Sequence, residues 1–218
     1  MLPPPKSKNS NVRRPPVPTP ATDPQMPITG TRKDVPDLCL RRIRSSADSR
    51  LWNEFIERYH YLGYVPLPGA QIRYFIEGKD QILGAIGMGA AAWKIAPRDQ
   101  FVGWNHEQRQ ARLHLVVNNA RFLILPWVQV RYLASSSLSL LSRQLPGDWQ
   151  DTYGYRPALL ETFVDRQRFR GTCYLAATQG RGKLDRYTRR QEPVKEIFLF
   201  PLTKNFRRIL VTGITSCT

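Results

Sequence analysis

Two titratable side chains stand in apolar segments of this sequence, where each could do acid–base chemistry. His60 follows an apolar helical stripe and could act as a general base near neutral pH, or could cap and pack that helix. Glu161 lies inside an apolar run that predicts a buried strand. A buried carboxylate is costly unless it is paired, so Glu161 either takes a proton from an attacking amine or pairs with Arg121 of a neighbouring strand.

Polar residues also enter the segment that we predict to be the central strand. Asn118, Asn119 and Arg121 precede the longest apolar run, residues 122–128, which only Pro126 interrupts. Polar groups beside a buried strand have to be satisfied by hydrogen bonds. These three side chains therefore either line a substrate pocket or tie loops together.

The element that must position these residues is a strand–turn–helix within residues 114–145. Leucines at helical spacing follow the apolar run, and the Pro-Gly-Asp sequence at 146–148 is expected to end the helix. A strand that feeds directly into a helix aims free backbone N–H groups and the positive end of the helix dipole at the turn. An anionic ligand would suit that turn. The alternative is only a buried strand packed on a helix.

The remaining elements predict an α/β fold, specifically an α+β domain with one mixed sheet and helices on its faces. A helix with an apolar stripe ends near Tyr59, and a hairpin of two strands spans residues 71–88. We expect the domain to occupy residues 39–205. Residues 1–38, which hold ten of the eighteen prolines, predict a disordered basic arm, and residues 206–218 a C-terminal tail.

The charge of the chain predicts a polyanionic partner. Its 33 Lys and Arg residues against 17 Asp and Glu give a formal charge of +16, which favours nucleic acid, with DNA the expected form. A Gly/Arg-rich segment is interpreted as a phosphate-binding loop, the alternative being a solvated loop. Its basic residues are Arg181, Lys183, Arg186, Arg189 and Arg190.

The other compositional signals concern compartment and metals. Three widely spaced cysteines form neither a disulfide framework nor a zinc pattern and are typical of a reducing cytoplasm. No apolar run reaches the ~18 residues of a membrane span, so no membrane partner is expected. His60, His106 and His114 lack ligand spacing to one another or to cysteine, so no metal site is predicted.

Several motifs follow one another in the chain between about residues 40 and 205. They are YHYLG at 59–63, LGAIG at 83–87, NNARFLILP at 118–126, LETFVD at 160–165, FRGTCY at 169–174 and GRGK at 180–183. In these motifs the chain resembles DruA-type proteins, a component of the Druantia anti-phage defence system. The resemblance implies a role in phage defence together with other defence-system proteins, and leaves the biochemical activity open.

The order of elements is similar to that of the GCN5-related acyltransferases. In those proteins the central strand splays from its neighbour, and the following loop and helix N-terminus hold the pyrophosphate of acyl-CoA. The resemblance implies a cofactor loop at Gln129, Val130, Arg131, Tyr132, Leu133, Ala134 and Ser135. Tyr132 stands where that loop has glycine, and its side chain would crowd a closely approaching pyrophosphate.

The same resemblance implies a role for Tyr174, which falls where acyltransferases of this fold often place a general-acid tyrosine. The alternative is a tyrosine that packs in the core. We therefore expect a cytoplasmic, acyltransferase-like domain that acts on nucleic acid in phage defence, with His60 or Glu161 as base and acyl-CoA as a candidate cofactor. The alternative is a non-catalytic nucleic-acid-binding or assembly subunit that kept the fold and lost the cofactor.

Overall fold

The computed structural model describes residues 15–177 and 195–213, where eight strands and six helices surround two hydrophobic clusters. The strands are β1 (Ile28–Thr31), β2 (Cys39–Arg42), β3 (Gln71–Gly78), β4 (Gln81–Ala90), β5 (Val116–Ile124), β6 (Val128–Arg131), β7 (Leu159–Asp165) and β8 (Lys195–Pro201). The helices are α1 (Ser46–Tyr59), α2 (Ala96–Val102), α3 (His106–Arg112), α4 (Leu133–Tyr153), α5 (Thr172–Ala177) and α6 (Phe206–Thr212).

Six strands form one sheet in the order β2-β3-β4-β5-β7-β8. Neighbouring strands are antiparallel except for β5 and β7, which are parallel because the connection between them crosses over through α4. This architecture confirms the predicted α+β class with a mixed sheet. Strands β1 and β6 form a separate two-stranded parallel sheet.

Helix α1 forms where the apolar stripe predicts it. The Ser45 side chain accepts a hydrogen bond from the Asp48 N–H and caps the helix N-terminus. Trp52, Phe55 and Ile56 are buried against the sheet. Packing of the helix on the sheet thereby positions His60, the residue that caps its C-terminus.

The predicted hairpin is formed by β3 and β4, and its glycines have identifiable neighbours. Gly84 lies against the carbonyl of Leu123 on β5, where a side chain would not fit, and the Trp52 ring lies against Gly87. A glycine inside a strand leaves room for a close ligand or a close backbone, and Gly84 has a close backbone, that of Leu123.

The central strand differs from its prediction in position. Strand β5 begins at Val116 and ends at Ile124, and the chain turns at Pro126 before β6 pairs with β1. The apolar run is therefore not one strand. The break is at Pro126, which has no N–H to continue the ladder, whereas the Leu125 N–H still bonds to the Leu83 carbonyl.

The prediction that Pro146 ends the following helix was wrong. Helix α4 continues through Pro146 to Tyr153, and Gly154 with a φ of 80° ends it. Pro146 and Trp149 are buried together with the leucines of the same face. Burial of that face outweighs the one hydrogen bond that proline removes.

The prediction of a disordered arm over residues 1–38 was wrong for the part that the structure describes, residues 15–38. The Tyr59 hydroxyl donates to the Thr22 carbonyl at 2.7 Å, and the Arg58 guanidinium contacts the Asp23 carboxylate at 2.6 Å. Thr22 and Val35 are completely buried. Tertiary contacts with α1 and β6 thus order a segment whose composition favours disorder. Residues 1–14 of the predicted arm lie outside the described residues.

The residues after β8 also form more than the predicted tail. Helix α6 buries Phe206 and Leu210 in the second hydrophobic cluster. Within the ranges that the structure describes, no helix is both long and apolar enough to cross a membrane.

Candidate functional site

A cavity of about 590 Å³ opens in the sheet between β5 and β7. The two strands pair only between Val116–Asn119 and Leu159–Thr162. Beyond this pairing, residues 120–124 and 163–165 form two walls of the cavity, and residues 59–62 and the start of α5 form the others. The cavity therefore exists because the parallel pairing of β5 and β7 stops halfway along both strands.

The cavity brings together five residues that the sequence marked separately. They are His60, Asn118, Asn119, Arg121 and Tyr174. Three different elements supply them: the end of α1, strand β5 and helix α5. Of the two explanations for the polar residues of the central strand, the structure gives the one in which they line a pocket.

His60 is held as a neutral imidazole. Its Nδ1 accepts the Leu62 N–H at 3.2 Å, which assigns the proton to Nε2. Burial, with a smaller effect of the Arg121 guanidinium, lowers the pKa of His60 from 6.5 to about 4. At neutral pH this side chain would therefore donate a hydrogen bond from Nε2 to a ligand rather than carry a charge.

Tyr174 lies between the core and the cavity. Its ring stacks on Phe198, with 5.7 Å between ring centroids, and its hydroxyl accepts the Asn119 Nδ2–H at 3.2 Å. Burial raises the pKa of Tyr174, so the phenol stays protonated. The residue packs against the core and also presents a polar group at the cavity wall.

Arg121 is a buried cation without an acidic partner in the described part of the chain. Its side chain is 9% exposed, and its Nη1 donates to the Ala120 carbonyl at 2.8 Å. No carboxylate of a described residue lies within 4.0 Å of the guanidinium, and Nε has no hydrogen-bond partner there. Burial lowers the pKa of Arg121. Such a group is costly for the folded protein unless a ligand satisfies it.

The mouth of the cavity is aromatic and basic. Tyr61 and Phe169 are both exposed, with 5.3 Å between ring centroids, and the Arg168 guanidinium lies 5.5 Å from the centre of the Tyr61 ring. Arg170 and Lys195 also line the cavity. Sequence reasoning placed Tyr61 and Phe169 in the YHYLG and FRGTCY motifs but gave neither a binding role, although an aromatic residue between two arginines, Phe169 between Arg168 and Arg170, was a usable signal.

One carboxylate, that of Asp165, also belongs to the lining. Asp165 Oδ1 accepts the Gln167 N–H at 3.0 Å, and Oδ2 lies 3.6 Å from the Arg168 guanidinium. Gln167 and Arg168, in the turn after β7, already contact this carboxylate. It therefore offsets only part of the positive charge around the cavity.

The structure places Glu161 elsewhere and pairs it with a different arginine. The predicted pairing with Arg121 was wrong, because Glu161 Oε2 accepts a bond from Arg98 Nη1 at 3.0 Å. Its Oε1 accepts the Ala92 N–H, also at 3.0 Å. Both charged side chains are fully buried, and burial raises the pKa of Glu161. Glu161 does not line the cavity, so its assignment as a base remains a prediction that this geometry does not favour.

The predicted cofactor loop also lies apart from the cavity lining. Val128–Arg131 is strand β6, and Tyr132 alone forms the turn into α4, with a φ of 66°. The Tyr132 side chain is 65% exposed, and the Arg131 guanidinium lies 5.7 Å from its ring centre. A left-handed backbone, as glycine would adopt, is thus combined with a large side chain where pyrophosphate would approach. The residues present fit acyl-CoA poorly.

Two other predictions concern the phosphate-binding loop and metals. The basic residues Arg181, Lys183, Arg186, Arg189 and Arg190 lie outside the described residues. Within residues 15–177 and 195–213, no three His, Cys, Asp or Glu side chains are grouped so that they could hold a metal ion.

These observations define a small α+β domain built around a basic, aromatic-mouthed cavity in its sheet. The family described as Druantia protein DruA matches residues 4–188, most of the chain. The chain therefore belongs to the DruA family, which confirms the resemblance in the sequence motifs and supports involvement in Druantia anti-phage defence. No curated protein matches the chain.

Proposed function

We propose that this chain contributes to Druantia defence by binding nucleic acid at the cavity between β5 and β7. The observation that carries the proposal is the combination of a buried guanidinium, Arg121, whose charge no described carboxylate neutralises, with two exposed aromatic rings, Tyr61 and Phe169, at the cavity mouth. This is the nucleic-acid-binding alternative of the two functions predicted from sequence.

The charge around the cavity supports a phosphate-bearing ligand. Among the described lining residues, Arg121, Arg170 and Lys195 stand against one carboxylate, that of Asp165. Proteins that neutralise phosphates with Lys and Arg release condensed counterions, which makes the electrostatic term large and sensitive to salt. The formal charge of +16 for the whole chain acts in the same direction.

The aromatic mouth supports contact with unpaired bases. Stacking of bases on aromatic side chains is a common feature of single-strand binding, and arginine adds cation–π contacts. The predicted phosphate-binding residues between Arg181 and Arg190 belong to the sequence that joins α5 to β8. Tyr174 and Lys195, on either side of that sequence, line the cavity. We expect these arginines and lysine to add phosphate contacts, and other Druantia proteins to be the protein partners.

The test is fluorescence anisotropy of labelled single-stranded DNA, duplex DNA and RNA at about 50 and 200 mM salt. We expect binding that weakens steeply with salt and is strongest for single strands. Binding that is absent, or that has a salt slope near zero, would contradict the proposal. Arg121→Met tests the cavity arginine. The matched control is Arg143→Met, which removes the same charge from an exposed arginine whose Nη1 donates to Ser139 Oγ.

A second candidate function is the acyl-CoA-dependent transferase predicted from the acyltransferase resemblance. The separation of β5 from β7 beyond Asn119 favours it, because a splayed central strand is part of that resemblance. The poor fit at Tyr132 speaks against it. A thermal-shift titration with acyl-CoA distinguishes the two functions, since a ligand that binds only the folded state raises the melting temperature. A shift with acyl-CoA that Tyr132→Gly increases would favour the transferase.

A further inference from the structure

Three buried polar atoms around the cavity have no hydrogen-bond partner within the described ranges. They are Asn118 Oδ1, Asn119 Oδ1 and Arg121 Nε. Asn119 is 4% exposed and Arg121 9%. Buried polar groups are nearly always satisfied in folded proteins, and leaving one unsatisfied destabilises the folded state. All three residues line the cavity, which makes a ligand inside it the candidate hydrogen-bond partner of these atoms.

The types of these atoms specify what the ligand has to present. An amide oxygen only accepts hydrogen bonds, so Asn118 and Asn119 require N–H or O–H donors. As placed, Asn119 Nδ2 donates to the Tyr174 hydroxyl, which leaves Oδ1 as the acceptor without a partner among the described residues. The guanidinium N–H of Arg121 and the Nε2–H of His60 require acceptors instead. The ligand must therefore combine several N–H donors with neighbouring acceptors.

We propose that the cavity receives one unpaired nucleobase that carries an exocyclic amino group. Adenine, cytosine and guanine each join an amino group to ring nitrogen or carbonyl acceptors, whereas thymine and uracil offer one ring N–H between two carbonyls. The proposal rests on the proposed nucleic-acid function and narrows its substrate class. The base comes either from a single strand or from a free nucleotide, because both present the same groups.

The size and mouth of the cavity agree with this ligand. A volume of about 590 Å³ falls within the range of ordinary small-molecule pockets. Tyr61 and Phe169 can stack on the base or on its neighbour, and Arg170 and Lys195 supply charge for the phosphate. A base inside a duplex would first have to leave the stack, which costs free energy. Unpaired nucleotides are therefore the better ligands.

The experiment is calorimetric titration of the full chain with dAMP, dCMP, dGMP and dTMP, followed by anisotropy with short single strands of dA, dC and dT. We expect at least one amino-bearing nucleotide to bind about tenfold or more tightly than dTMP, the equivalent of about 1.4 kcal/mol. Equal or tighter binding of dTMP would overturn the proposal.

Two variants of one residue test the hydrogen-bond argument. Asn118→Leu removes an acceptor and should reduce the discrimination against dTMP, whereas Asn118→Asp keeps an acceptor oxygen and should retain it. Discrimination unchanged in Asn118→Leu would contradict the assignment. Should Asn118→Leu fail to fold, as judged by thermal melting, the nucleotide series on the wild-type chain still decides.

The outcomes separate this inference from the proposed function. Salt-sensitive binding of strands without base preference would overturn the inference and leave the function standing. Selective binding of free nucleotides without binding of strands would overturn the function and identify the free nucleotide as the ligand. Absence of binding in both series would overturn both.

Discussion

Arg98 and Glu161 form an ion pair of 3.0 Å in which neither side chain has any solvent exposure. Asp99 extends the pair into a network, because its Oδ1 contacts Arg98 and its Oδ2 accepts a bond from Arg109 Nη1 at 2.9 Å. The Ala92 N–H and carbonyl supply further hydrogen bonds to Glu161 and Arg98. This network fixes β7 at Glu161, within the last stretch where it still pairs with β5 and just before the cavity opens.

The first prediction follows from the burial of this pair. Arg98→Met is expected to lower the free energy of unfolding by about 3–5 kcal/mol, because it leaves the Glu161 carboxylate buried without its cation. Urea denaturation measures the effect. Arg143→Met, at an exposed position, should change the same quantity by less than about 0.5 kcal/mol. A loss below about 1 kcal/mol in Arg98→Met would show that the pair is not structural.

The second prediction concerns Arg121, the buried arginine that lines the cavity. Arg121→Met is expected to raise the free energy of unfolding by about 1 kcal/mol or more, since it removes a desolvated cation that no described carboxylate neutralises. Binding of single-stranded DNA should weaken at least tenfold in the same variant. A protein that becomes more stable while losing its ligand indicates a residue kept for function. Destabilisation with unchanged binding would assign Arg121 to the fold.

The third prediction is a dependence of stability on pH. The pKa of His60 is about 4 in the folded protein and 6.5 otherwise, so the unfolded chain binds more protons between these values. Folding stability contributed by neutral His60 is complete above about pH 6.5 and is lost as the pH falls towards 4, by about 3 kcal/mol. In His60→Gln, the free energy of unfolding should depend less on pH between about 4 and 6.5.

The control for this measurement is His114, whose pKa burial also lowers and which faces Tyr155 outside the cavity. His114→Gln should leave the contribution of His60 in place, so the free energy of unfolding of this variant should still fall as the pH drops from 6.5 towards 4. The prediction fails if His60→Gln and the wild-type chain lose stability in parallel between pH 6.5 and 4.

The fourth prediction compares two exposed aromatic residues. Phe169 lies at the cavity mouth and is 48% exposed, and Trp93 is 57% exposed and does not line the cavity. Phe169→Ala should weaken single-strand binding about tenfold, because stacking on one base contributes about 1–3 kcal/mol. Trp93→Ala should leave affinity nearly unchanged. Equal losses in both variants, measured by anisotropy, would point to binding over the general surface.

The elements that the sequence predicted well are those set by local pattern. The stripe of Trp52, Phe55 and Ile56 and the Ser45 cap specify α1, and the alternating residues with a turn at Lys79 and Asp80 specify the hairpin. Residues that line the cavity were also recognisable one by one, because His60, Asn118 and Arg121 are polar positions in apolar surroundings.

The features that the sequence could not give depend on contacts between distant residues. The partner of Glu161 lies 63 residues away, and no local pattern distinguishes Arg98 from the other arginines. The ordering of Thr22 depends on Arg58 and Tyr59, and the continuity of α4 through Pro146 depends on burial of one helix face. The cavity itself follows from the end of the β5–β7 pairing, which only the folded sheet determines.

The most direct test of the central claim is hydrogen–deuterium exchange of the full chain with and without short single-stranded DNA. Binding at the cavity predicts slower exchange of the backbone amides at residues 118–124, 163–165 and 169–174, together with those at 60–62. The amides of α2 and α3 should not change. Protection confined to other parts of the chain, or no protection at DNA concentrations that saturate binding, would contradict the account.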